Sequence, residues 1–356
     1  MRFFPFFKRS GDTVRILSVD GGGVRGIVPA LVLKSLQMRL TRLSSDAQLW
    51  NSFDLIAGTS TGILIALGLT KPQRDSESNF LSHPEYGIDD IIDTYRLHAG
   101  EIFPRATFRA LRQVMQAFGE KYDSTHFERV IKRLYGRTAV RDALTNLILT
   151  SYDTEARRPF FFKRRPPHHR PADDLDFLMR DAARAGCAAP TFFEPAYVSP
   201  LPPAFGNYCL VDGAVFANNP AMAGYIEARK LFPRAKRFVI LSLGTGSTVK
   251  RFTYHEMKNW GYIDWVSPMK GVPISSIAID GQVESVNYQL RKLAGVEFHR
   301  LDAPLLGCSE EMDDASDKNM NALQRLAQGI IQANDARLDT IARTLVGQGT
   351  SPKDSR

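Results

Sequence analysis

Ser60 lies in Gly58-Thr59-Ser60-Thr61-Gly62, a serine with a glycine two positions before it and another two positions after it. Phe53 to Ala57 reads as a short strand leading in, and the apolar run Gly62 to Leu69 as a helix leading out. A serine oxygen becomes a useful nucleophile when it projects from a sharp strained turn, with neighbours at minus two and plus two small enough to avoid collision. A helix starting just behind it aims free N–H groups and a positive dipole end at the place where negative charge develops. The chemistry suggested is acyl transfer through an acyl-serine, with Gly58 and Gly62 forming the nucleophile elbow. An ordinary glycine turn carrying a surface serine has the same letters; the strand before and the helix after favour the elbow.

A second glycine cluster, Asp20-Gly21-Gly22-Gly23-Val24-Arg25-Gly26, follows the apolar run Val14-Arg15-Ile16-Leu17-Ser18-Val19 and opens a helical pattern from about Val28 to Leu43. Consecutive glycines let backbone N–H groups converge on an anion without Cβ obstruction. Two uses compete. One is an oxyanion hole for the tetrahedral intermediate of acyl transfer, built from Gly21, Gly22, Gly23, Arg25 and Gly26. The other is phosphate binding, because Gly21, Gly23 and Gly26 satisfy G-x-G-x-x-G. A dinucleotide site needs an acidic residue at the tip of the next strand, and there the chain has the serine elbow, with Asp54 inside the strand. The oxyanion hole is favoured, with Arg25 holding or supplementing it; the competing role for Arg25 is a structural salt bridge.

A serine hydroxyl needs a base. Of seven histidines, only His299 gives the chain order Ser60, Asp212, His299 of an α/β-hydrolase triad. Against it, only one strand precedes the serine-bearing one, and Val296-Glu297-Phe298-His299-Arg300-Leu301 reads as an ordinary strand. Asp212 ends the short apolar run Leu210-Val211 and is followed by Gly213-Ala214. A carboxylate there could take the serine proton directly, since burial raises its ordinary pKa of about 3.9. It could equally be an Asp-Gly turn residue.

These residues need a scaffold. The N-terminal third alternates strand, turn, helix, strand, turn, helix, which implies a parallel sheet flanked by helices. Further strands are expected at Leu147 to Ser151 and Phe238 to Leu243, and helices over much of 89–135, from Asp174 to Ala185 and from Asn319 to Leu345. Residues 71–87 read as a surface excursion and Arg157 to Arg170 as a basic, proline-broken loop. The expected organisation is an N-terminal arm (1–12), one catalytic domain (13–346) with a helical insertion around 71–136, and a disordered tail (347–356).

Hydrophobic residues at 44% and charged residues at 24% exclude wholesale disorder. Three unpaired-looking cysteines argue against a disulfide framework and a cysteine zinc site, and for a reducing compartment. The start of the chain does not read as a secretory signal, and no apolar run approaches the roughly 20 residues of a membrane span. A cytoplasmic protein acting peripherally at the inner membrane is expected. The net charge of +8 favours anionic surfaces, phospholipid headgroups or nucleotide phosphates, rather than a nucleic acid polymer. The phenylalanine-rich arm Met1 to Arg9 either dips into a membrane interface or packs on its own domain or on a partner subunit of a homo-oligomer.

Taken together the segments resemble the patatin-like phospholipases. The glycine loop 20–26, the elbow 58–62, Ala183-Arg184-Ala185 through Ala188-Ala189-Pro190-Thr191-Phe192-Phe193, and Asp212-Gly213-Ala214 with Asn218-Asn219-Pro220 follow the family's order, and Leu241 to Gly246 is similar to a further strand and turn. The match runs from about Val14 to Gly246, some two thirds of the chain. The resemblance implies a dyad of Ser60 as nucleophile and Asp212 as general base, an oxyanion hole in the Gly21 to Gly26 loop, no metal or cofactor, a three-layer α/β/α sandwich with a mostly parallel sheet, and fatty acyl ester substrates. Alanine at 214 stands where many members have a second glycine, and Gly186-Cys187 replaces residues more often small and hydroxylated. In length and in the position of Ser60 the chain is also similar to a branch of the family, the bacterial effectors called CapV, which implies a cyclic dinucleotide activator such as cyclic GMP-AMP and a role in anti-phage defence. The basic segment 157–170 would serve phosphate binding or membrane docking, and it and the helical region 89–135 are candidate covers for the site.

Overall fold

The computed structural model describes residues 12–102, 122–169 and 174–348. The expected arm (all but its last residue), residues 103–121 of the helical insertion, Arg170 and the tail from 349 lie outside the described residues.

Ten strands are present among the described residues: β1 (Thr13–Val19), β2 (Leu55–Gly58), β3 (Pro72–Arg74), β4 (Phe80–Pro84), β5 (Asn146–Asp153), β6 (Arg158–Arg164), β7 (Ala196–Val198), β8 (Tyr208–Asp212), β9 (Arg237–Leu243) and β10 (Val296–Leu301). Eight of them form one sheet in the order β10-β9-β1-β2-β5-β8-β7, with β6 paired to β5; β3 and β4 form a separate hairpin. From β10 to β5 all neighbours are parallel, while β6 and β8 pair antiparallel with β5 and β7 pairs antiparallel with β8.

Alternation along the central strands sorts side chains between two cores, as strand geometry requires. Leu17, Val19 and Ile56 point into the larger one with the helices Ile27–Leu43, Thr61–Thr70, Ile88–Ile102, Thr125–Tyr135, Met179–Gly186, Asp317–Ala333 and Asp335–Leu345. Val14, Ile16, Leu55, Phe238 and Ile240 point into the smaller one, capped by helices Ala221–Leu231 and Pro273–Lys292. This is the expected three-layer α/β/α sandwich with a mostly parallel sheet.

Local expectations shift in four places. Within the expected basic loop, Arg158–Arg164 is a strand: β6 pairs with β5, because Phe160 and Phe162 alternate onto Phe177 while Phe161 turns the other way onto Phe216. Of the expected helix Asp174 to Ala185 only Met179–Gly186 forms, since Asp176 is held extended by bonds to Arg141 and Leu201. The closing stretch is two helices, broken at Asn334, whose side chain bonds back to the Ile330 carbonyl. Asp54 stands just before β2 and accepts the Arg15 N–H.

Candidate active site

β5 has two edges, and β6 occupies one of them along residues 147–153. The other edge is shared. β2 covers it as far as the Gly58–Leu149 pairing, running parallel; β8 covers it from the far side, running antiparallel and ending at the Asp212–Ser151 pairing. Two strands thus run toward one another along a single edge and stop on either side of Thr150. Ser60 leaves the end of one and Asp212 the end of the other. Thr150 marks the junction: its hydroxyl lies 2.8 Å from that of Thr59, and a Cβ on Gly213 would sit 2.2 Å from it.

Ser60 has φ 53° and ψ −122°, a strained backbone for a residue with a side chain, directly before the helix Thr61–Thr70. The elbow glycines make the turn possible by close approach: a Cβ on Gly58 would fall 2.6 Å from the Gly62 carbonyl oxygen, and one on Gly62 would fall 2.2 Å from that of Val19.

Asp212 is 1% exposed. Its Oδ1 accepts the Ala214 N–H at 2.8 Å, while its buried Oδ2 closes no hydrogen bond of full geometry. Burial pushes the carboxyl up to about 6, against the opposing pull of the nearby Ser60 hydroxyl and the Ala214 N–H. The Ser60 hydroxyl is thus near enough to favour the charged carboxylate, while no hydrogen bond of full geometry closes between the two. A carboxylate that titrates near 6 and lacks a donor on one oxygen is able to receive a proton from an adjacent hydroxyl at neutral pH.

The glycine loop narrows the expected set of anion donors. The Gly21 N–H is committed to the Asn218 carbonyl, the Val24 N–H to Met312 and the Arg25 N–H to Gly22. Among the described residues Gly22 and Gly23 find no acceptor for theirs, and both line the cavity with Ser60 and Asp212. Gly23 has φ +58°, and a Cβ there would sit 2.1 Å from the Met312 carbonyl oxygen, so the loop takes this shape only with glycine. Gly26 passes close to Thr61 and Tyr95 and starts the helix Ile27–Leu43. Arg25 forms no ion pair among the described residues; its Nε donates to the Gly22 carbonyl at 3.3 Å and bolsters the loop from behind.

His299 stands apart. β10 is three strand steps from β2, roughly 14 Å at about 4.8 Å per step. Its Nε2 pairs with Glu297 at 2.8 Å and its Nδ1 receives the Arg337 Nε at 3.3 Å, so the ring has no role beside Ser60 and the triad alternative is set aside. Cys187 does line the cavity, but burial, and then the charge of Asp212, push its thiol well up and keep it protonated. The basic segment 157–169 contributes nothing to the cavity, since Lys163 and Arg165 are spent on Glu227. The helical insertion does contribute, through Ile91, Tyr95, Ala99, Phe127 and Tyr135.

Two features were not foreseen. Arg300 bridges Asp20 at 2.7 Å and Asp302 at 2.9 Å inside the cavity wall, and Asp20 is pushed up to about 6 by burial despite that partner. Nothing in the strand-like run around Arg300 signals this; only parallel pairing of β10 with β9 brings it to the glycine loop. The second is the cover of the cavity, a space of about 1380 Å³, to which Phe252, Val266, Met269 and Val272 belong. Among the described residues no group of three or more His, Cys, Asp or Glu side chains gathers as a metal site.

The family profile described as patatin-like phospholipase matches residues 17–225, more than half of the chain. The chain belongs to the patatin-like phospholipase family. It is 31% identical over 352 residues to patatin-like protein 1 of Arabidopsis thaliana, covering 90% of this chain and 82% of that one. It is 31% identical over 346 residues to patatin-T5 of Solanum tuberosum, covering 92% and 86%. Among solved structures, VipD from Legionella pneumophila aligns with a TM-score of 0.40 at 12% identity, over 90% of this chain and 67% of that one. Human GIVD cytosolic phospholipase A2 aligns with a TM-score of 0.41 at 10% identity, over 94% and 60%. Membership makes the chain one of a family of ester hydrolases. No helix among the described residues is long and apolar enough to cross a membrane.

Proposed function

We propose that this family member is a lipid acyl hydrolase of phospholipase A type that cleaves acyl esters of membrane phospholipids, with Ser60 as nucleophile and Asp212 as its general base. The observation that carries the reading is the meeting of β2 and β8 on one edge of β5, which brings a strained serine to a buried carboxylate with an unpartnered oxygen. In the first half-reaction Asp212 takes the Ser60 proton as Oγ attacks the ester carbonyl. The Gly22 and Gly23 N–H groups receive the oxyanion, the ester C–O bond breaks, and the lysolipid alkoxide leaves with the proton from Asp212. Water then repeats the sequence on the acyl-serine with the same base, releasing the fatty acid.

A fluorophosphonate probe tests the assignment. Labelling should map to Ser60 and disappear in Ser60→Ala, together with phospholipid hydrolysis. An active preparation that takes no label on Ser60, or a Ser60→Ala protein that still hydrolyses phospholipid at the parent rate, overturns it. The similarity to the CapV effectors adds a second arm, activation by a cyclic dinucleotide, which rests on sequence resemblance. Hydrolysis measured with and without a panel of cyclic dinucleotides should rise with one of them; activity indifferent to all removes the activator and leaves the hydrolase.

A further inference from the structure

From Ser247 to Val272 not one described side chain is buried, although this stretch roofs the cavity through Phe252, Val266 and Met269. Of the fifteen large apolar side chains that stand exposed among the described residues, seven fall between Val249 and Ile277. Tyr254, Tyr262, Ile263 and Met269 are each 76–82% exposed. Scattered exposed apolar residues are ordinary, but this concentration at the mouth of a functional cavity marks an interaction surface.

The segment holds itself together around Trp260, which packs edge-on against Phe252 and Trp265 with ring centroids 5.5 Å apart in both cases. Lys270 lies over the Trp260 ring at 4.6 Å and Lys250 over that of Phe252 at 5.4 Å. Its two acidic side chains are consumed locally. Glu256 caps the helical turn at Thr253, and Asp264 takes the Gly261 N–H and the Lys270 ammonium. Arg251 and Lys258 are exposed and meet no carboxylate among the described residues.

We infer that residues 249–277 form a docking surface for an anionic phospholipid bilayer, which seats the cavity mouth on the membrane. The inference rests on the lipid acyl hydrolase reading above. Three observations select a bilayer as the occupant. Tyrosine, tryptophan and lysine side chains with apolar bodies and polar tips are suited to the headgroup layer. Arg251 and Lys258 are left free while Glu256 and Asp264 are bonded within the segment, which complements an anionic leaflet and agrees with the chain's net charge of +8. The same segment walls the cavity, so an acyl chain leaving a bilayer at this surface passes straight to Ser60. Two helical turns of four and five residues, Tyr254–Met257 and Tyr262–Val266, let apolar side chains dip into the interface without a spanning helix.

The experiment uses the full chain as Ser60→Ala, so that binding proceeds without turnover, with Trp50→Phe added to leave Trp260 and Trp265 as reporters. The protein is mixed with vesicles of phosphatidylcholine, alone or with phosphatidylglycerol. The inference expects co-sedimentation with the mixed vesicles, a blue shift of tryptophan emission, and weakening by salt. Tyr254, Tyr262 and Ile263 do not line the cavity, and replacing all three by serine should lower partitioning about tenfold or more. In the Ser60-containing chain the same triple variant should lose vesicle hydrolysis in proportion while keeping its rate on a dispersed short-chain ester. Unchanged partitioning of the triple variant overturns the inference. So does an equal loss on the dispersed ester, or light scattering that finds a dimer split by the substitutions in a protein that ignores vesicles. Because partitioning is read in an inactive protein, its failure is separate from any failure of Ser60 as nucleophile.

Discussion

The floor and the roof of one cavity are built by opposite means. The floor consists of strand ends: Asp20, Asp212 and Thr245 are between 1% and 4% exposed, and the glycine loop is bonded to Asn218 and Met312 on either side. The roof, 247–272, contains no buried described side chain and is held by local caps and a small aromatic cluster. Groups that must meet within a few tenths of an ångström are placed by the sheet, where a shift would disrupt many bonds at once. Groups that must adapt to a fluid surface sit where opening costs little. On this contrast, substitutions in the floor should change chemistry and folding together, while those in the roof should change only what approaches.

The largest expected separation is at Asp212. Asp212→Asn should lower kcat/KM by about three orders of magnitude or more, since members of such a unit fail together. It should also stabilise the protein. The folded chain holds the Asp212 proton up to about 6 whereas the unfolded chain releases it near 3.8, so between those values the folded state binds more protons. Stability therefore falls as pH rises through that window and stays lower above it, by on the order of 3 kcal/mol for a shift of this size. Urea unfolding of the variant at neutral pH should show the gain, and the gain should shrink toward about pH 4. The same titration predicts that kcat/KM of the parent rises through pH about 6 and then levels; a profile that falls there breaks the floor assignment.

A matched pair of glycines gives the next effect. Gly23 in the floor and Gly271 in the roof both have positive φ, +58° and +80°, but a Cβ at Gly23 would strike the Met312 carbonyl and one at Gly271 would meet nothing. Gly23→Ala should cost about 2–3 kcal/mol and about a hundredfold in kcat, while Gly271→Ala should cost about 1 kcal/mol from backbone strain alone. Thermal unfolding of the two side by side measures the difference between a position fixed by packing and one fixed only by its own turn. The smallest effect is expected at Tyr262→Ser, within about 0.5 kcal/mol of the parent; a loss of several kcal/mol would mean the roof is structural core.

Much of the floor was legible. The G-x-S-x-G and D-G-G-G runs each sit at a strand end because the turn chemistry is local: small neighbours and free N–H groups are demanded by the residues next to them. The glycine loop was legible only as a whole. That Gly21 is tied to Asn218, while the Gly22 and Gly23 N–H groups find no acceptor among the described residues, depends on a residue nearly two hundred positions away. The basic run from Arg157 misled because its cations hid a period-two pattern of phenylalanines, and pairing with β5 and Glu227 neutralised what looked free. Beyond the Thr253–Glu256 capping pair the roof carried no local signature, since its apolar residues follow neither strand nor helix spacing.

The chain's own residue order determined the α/β class, the strained turn at Ser60, the glycine loop and the family. These follow from propensities and steric rules acting over a few neighbours, and from motifs kept in sequence. The folded molecule alone decided that His299 lies three strands away from the serine-bearing strand, that Arg300 stands behind the loop, and that 247–272 lines the cavity. Those outcomes depend on which strands share an edge, a matter of long-range pairing and burial that no short stretch of residues specifies.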